Sequence, residues 1–114
     1  MDVDVWVRGQ QDASTRKIDG VPDDPLSWTD GDVRLLLEQM LLALDRAKNP
    51  SGEAPAISLR GFSWIVSPEN NGVLVHVEMQ IGTASAGPFA IDESRLTEMI
   101  ARVMGGTKPS VLVH

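Results

Sequence analysis

His76 and Glu78 stand two residues apart within Val73-Leu74-Val75-His76-Val77-Glu78-Met79-Gln80-Ile81, where apolar and polar side chains alternate. In a strand that spacing puts both on one face. An imidazole beside a carboxylate is the minimum for general acid–base work: the ring carries the proton and the carboxylate orients it. The same pair would supply two metal ligands, but a zinc site takes three or four, and the chain's only other histidine is His114. Neither a metal nor a cofactor is therefore expected, and the pair fits an ordinary polar strand face equally well.

Other routes to chemistry are closed. With no cysteine in 114 residues, thiol catalysis, zinc–thiolate sites and disulfides are excluded. None of Ser14, Ser27, Ser58, Ser63, Ser67 or Ser85 lies in a Gly-x-Ser-x-Gly elbow. Gly82-Thr83-Ala84-Ser85-Ala86-Gly87 has neither the Walker spacing with its lysine nor a dinucleotide fingerprint. Pro88-Phe89-Ala90-Ile91 also separates it from the following helix, so this stretch reads as a turn or an edge-strand segment.

The aromatic residues carry a stronger signal. In Asp2-Val3-Asp4-Val5-Trp6-Val7-Arg8 the three valines share one face and Asp4, Trp6 and Arg8 the other. A strict period of two predicts a half-buried strand with its valines on the core. Trp6 then lies on the far face, near Leu74, His76 and Glu78 if the strands at Asp2–Arg8 and Val73–Ile81 are neighbours. Phe62 and Trp64 join it if Gly61 introduces a bulge that switches the phase of a strand over Ala56–Val66. Trp6, Arg8, Phe62, Trp64, Leu74, His76 and Glu78 are thus the candidate ligand or interface residues. A face that mixes large rings with charges needs a cover: the long loop before the first helix, a second subunit, or a ligand.

Two helices are expected to hold this sheet. Thr29 and Asp32 form a capping box at the start of the first, with Trp28 and Val33 placed as a hydrophobic staple across it. Val33, Leu36, Leu37, Met40, Leu44 and Ala47 make its apolar stripe, and Leu35 and Leu42 widen that surface beyond one sheet contact. Asn49-Pro50-Ser51-Gly52 ends it. Asp92 caps the second, which runs from Glu93 to about Met104 on a stripe of Leu96, Met99, Ile100, Val103 and Met104, with Gly105 as its stop. Asn71-Gly72 predicts a tight hairpin. Residues 9–28 form a long polar loop, with a short strand near Lys17-Ile18.

Strand, helix, strand, strand, helix and a last strand over Pro109–His114 give a single α+β domain. Its predicted architecture is a ferredoxin-like split β-α-β sandwich, an antiparallel sheet with two helices on one face. A meander with a different last strand is the competing topology. The net charge of −6 argues against nucleic-acid and anionic-membrane partners, and the glycine–aromatic RNP1 pattern of RNA-recognition sheets is absent. The opening residues lack a basic stretch followed by an apolar run, so a cytoplasmic location is expected. The functional expectation is a non-catalytic homodimeric interaction module. The alternative is a small-molecule binder or cofactor-free enzyme whose pocket gathers around His76 and Glu78.

Overall fold

A computed structural model describes residues 1–48 and 62–105. The protein is α+β, with one five-stranded antiparallel sheet and two α-helices. Strand β1 (Asp2–Val7) alternates as its sequence dictates, with Val3, Val5 and Val7 buried and Asp2, Asp4 and Trp6 exposed. The chain then doubles back into β2 (Ser14–Lys17), which pairs with β1 from Asp2↔Lys17 to Val5↔Ser14. Residues 9–28 thus hold a full edge strand, and their second half is packed down on the core. Ile18, Val21 and Trp28 are buried. The Trp28 Nε1 donates to the Pro22 carbonyl at 2.8 Å, and its ring meets Phe89 edge-on at 5.1 Å. A single 3-10 turn at Pro25–Ser27, capped by Asp24, leads into the first helix.

Helix α1 (Asp30–Lys48) starts on the expected capping box. The Thr29 Oγ1 accepts from the Asp32 backbone N–H at 3.3 Å, and Asp32 accepts from the Thr29 N–H at 2.9 Å. Its buried stripe includes Val33, Leu36, Leu37, Met40 and Leu44, widened by Leu41 and Ala43. Leu42 is half-buried and Leu35 stays exposed. Acidic Asp30 and Asp32 at its start and basic Arg46 and Lys48 at its end complement the helix dipole.

Three strands follow as a meander: β3 (Ser63–Glu69), β4 (Gly72–Met79) and β5 (Gly82–Phe89), joined by the two-residue turns Asn70-Asn71 and Gln80-Ile81. Gly72 closes the first turn at φ 138°, and a Cβ there would fall on the Phe89 carbonyl. Helix α2 (Glu93–Val103) is capped by Asp92, which accepts from the Arg95 N–H, and buries Leu96, Met99 and Ile100. Arg102 makes two 2.9 Å bonds to the Asp30 carboxylate, joining the exposed edges of the two helices.

The strand order is β2-β1-β5-β4-β3. This corrects the split β-α-β expectation in three places, the first being the additional strand β2 on the outer edge of β1. Residues 82–87, read as a turn or edge segment, belong to the central strand β5, and β1 pairs with β5 rather than with β4. The physical reason is packing. Ala84 and Ala86 are fully buried under α1, where small side chains let the helix approach the sheet closely. An extra residue at Gly87-Pro88 shifts the register from Val75↔Ala86 to Val73↔Phe89 and turns Phe89 inward toward Trp28. The expected final strand Pro109–His114 and the expected bulge at Gly61 lie outside the described residues.

Buried residues of all the strands except β2 face the same side, where they join both helices in one core. The opposite face of the sheet is bare of any element among the described residues. No helix among them is long and apolar enough to cross a membrane.

Candidate functional site

The bare face is ordered in rows by strand register. Trp6 on β1 lies opposite Ser85 on β5, Ser85 opposite His76 on β4, and His76 opposite Ile65 on β3. On one side of this row stand Asp4, Gly87, Leu74 and Ser67; on the other, Arg8, Thr83, Glu78 and Ser63. Because side chains alternate along each strand, all of these share the outer surface.

His76 is the centre of a hydrogen-bonded chain. Its Nε2 is 2.9 Å from the Ser67 Oγ and its Nδ1 is 2.6 Å from the Ser85 Oγ. A neutral imidazole has one donor and one acceptor nitrogen. One serine therefore donates to the ring and the other accepts from it, and rotation of the two hydroxyls permits either tautomer. Burial holds the His76 pKa below the ordinary histidine value of 6.5, opposed by the negative charge of Glu69. Burial thus works against the charged ring, and both nitrogens are occupied.

Trp6 is 51% exposed, the largest apolar side chain left open on the sheet. Ile65 and Leu74 are half-buried on the same surface. The carboxylate of Asp4 accepts from the Thr15 hydroxyl at 2.7 Å, and Arg8 is exposed at the other end of β1.

The structure brings together five of the seven residues singled out from sequence: Trp6, Arg8, Leu74, His76 and Glu78. Two placements change. Trp64 is 3% exposed and faces the helices, because Trp64 and Val66 take the inward phase of β3 while Ser63, Ile65 and Ser67 point out. Phe62 is half-buried and packed against the same core. Glu78 shares a face with His76, yet the ring's hydrogen-bond partners are the two serines. Ser67 and Ser85 were not singled out. Thr83-Ala84-Ser85-Ala86 does carry a period-two pattern, but the relation of Ser85 to His76 exists only once β4 and β5 are in register.

No group of three or more histidines and carboxylates converges among the described residues. An open depression of about 440 Å³ lies at the end of the sheet, lined by Asp2, Asp4, Asp23 and Pro88, and it includes none of Trp6, Ser67, His76 or Ser85. No family model, curated protein or solved structure matches the chain.

Proposed function

We propose that this protein is a non-catalytic interaction module that self-associates through the outer face of its sheet. One observation carries the reading: a half-exposed tryptophan in the middle of a sheet face that no described element covers. Antiparallel sheets commonly turn one face to water, and such faces are polar. Here Trp6, Ile65 and Leu74 interrupt the polar side chains, and tryptophan is the residue type most enriched where binding energy concentrates. The polar groups between them arrive already satisfied, since His76 spends both nitrogens on Ser67 and Ser85. Covering this surface therefore leaves few orphaned donors or acceptors.

Sedimentation equilibrium together with native mass spectrometry of the purified chain tests the proposal. A reversible dimer without added mass is the expected result. A monomer at every soluble concentration overturns it. The Ser67–His76–Ser85 chain favours a second reading, a small-molecule surface on which His76 exchanges a proton with a ligand stacked on Trp6. Reproducible excess mass that disappears on denaturation and in His76→Ala would select that reading instead.

A further inference from the structure

An acid and a base flank Trp6 in the sequence: Asp4 on β1, two residues before it, and Arg8 two residues after it, just past the strand's end. There the Arg8 N–H still donates to the Thr83 carbonyl at 2.9 Å and continues the ladder with β5. The alternation gives both the phase of the outer face, roughly 7 Å along the chain from Trp6. Asp4 keeps one carboxylate oxygen for the Thr15 hydroxyl and has the other to offer. Among the described residues no ion pair holds the Arg8 guanidinium.

We infer that the occupant of the outer face is a second copy of this chain, docked with its strands antiparallel about a two-fold axis along the Trp6–Ser85–His76–Ile65 row. The inference rests on the self-association reading and specifies its geometry. Two sheets packed face to face can be related by a two-fold only if the axis lies between them. An axis running along β1 sets Asp4 against its own copy and Arg8 against its own, two like-charge contacts. An axis across the strands through Trp6 instead sets Asp4 of each copy against Arg8 of the other, and Trp6 against Trp6. Such an isologous contact is self-complementary by construction.

The dimensions allow it. Packed sheets sit about 10 Å apart, a gap spanned by an arginine and an aspartate reaching toward each other. A mutual rotation of about 30° between aligned sheets displaces a residue 7 Å from the axis by only about 3.5 Å, within the swing of an arginine. Strands β1, β5, β4 and β3, each of six to eight residues, offer a face of roughly 450 Å² in projection per copy, which corresponds to a small, reversible interface.

Charge exchange tests the geometry. Asp4→Arg and Arg8→Asp should each raise the dimer dissociation constant about tenfold or more, since each turns two attractive contacts into two repulsive ones. Asp4→Arg also makes the chain less acidic, so general repulsion between copies falls in that variant, and weaker association there is specific to the contact. The double variant Asp4→Arg/Arg8→Asp restores both pairs and should return the constant to within about threefold of the native one. Circular dichroism of each variant below its dissociation constant controls for folding. A native dimer whose single variants associate unchanged, or whose double variant is no tighter than the singles, overturns this docking while leaving self-association standing. A native chain that never dimerises overturns the underlying reading.

Discussion

Replacing Trp6 with threonine separates the role of this ring in the fold from its role at the surface. A buried tryptophan removes roughly 150–250 Å² from water, so a ring that is 51% exposed still offers a partner about 100 Å². At about 25 cal/mol per Å² that is ~2.5 kcal/mol per ring, and a symmetric dimer loses it twice. Association converts area to affinity poorly. Even half of the total, about 2.5 kcal/mol, weakens the dissociation constant about sixtyfold. The cost to the monomer is smaller, about 1 kcal/mol, because threonine keeps the β-branched preference of the strand and loses only the contacts the ring makes with its own sheet. The assay pairs sedimentation equilibrium with urea unfolding. The unfolding runs at concentrations below both dissociation constants, since dimerisation would otherwise add to the apparent stability. Trp28 and Trp64 remain as buried fluorophores to follow it. A Trp6→Thr chain that dimerises as tightly as the native protein refutes the reasoning. So does one that fails to fold, which would make Trp6 a residue of the core.

Stability should rise with pH around the histidine range: burial lowers the His76 pKa, so the unfolded chain takes the proton first. The His76 contribution is complete above pH 6.5 and is lost as pH falls below it toward the folded-state value; urea midpoints of the native chain and His76→Gln should converge in slope if this is wrong. Gly72→Ala should destabilise by at least about 1–3 kcal/mol through its positive φ, with the clash against the Phe89 carbonyl added. An unchanged urea midpoint in that variant would mean that the β3–β4 turn is built differently. Thr29→Ala should cost about 1 kcal/mol by removing the hydroxyl that caps α1, and a thermal melt reads it directly.

Where local pattern and tertiary environment agreed, the elements were readable from sequence. The valines of β1, the Thr29–Asp32 box, the Asp92 cap and the alternation of β4 are each decided within a few residues. Strand β5 was not, because Gly82, Ala84, Ala86 and Gly87 have none of the β-branched or aromatic character that marks strands. Their smallness answers a demand that appears only in three dimensions. A Cβ on Gly87 would sit 2.7 Å from the Val73 carbonyl, and a Cβ on Gly82 would press on Leu44 of α1. The misplacement of Trp64 has a different origin. Phe62, Trp64 and Val66 share one alternation against Ser63, Ile65 and Ser67, which by itself turns Trp64 toward the core, whereas its expected outward placement took the phase from Ile57 and Leu59 across Gly61. Once β5 is inserted, Trp6 and His76 are no longer on neighbouring strands. They are joined across Ser85, and the serine becomes part of the site.

That serine bears on what the surface can do. In a serine–histidine reaction centre one ring nitrogen faces the nucleophile, and the other is held by a carboxylate that stabilises the imidazolium as it forms. On this face both nitrogens meet hydroxyls, and burial already disfavours the charged ring. Burial works against the protonated state that general-base catalysis must pass through, and no carboxylate holds the ring to offset it. The same features suit a surface that is to be covered. An unpartnered imidazole would carry its full desolvation cost into an interface, whereas one that has exchanged water for two hydroxyls has already met most of it in the monomer. On the proposed two-fold His76 meets its own copy, so two protonated rings repel each other across it. Acidification should therefore weaken the dimer more steeply than it weakens the monomer fold. A dissociation constant that stays flat through the histidine range would remove His76 from the contact.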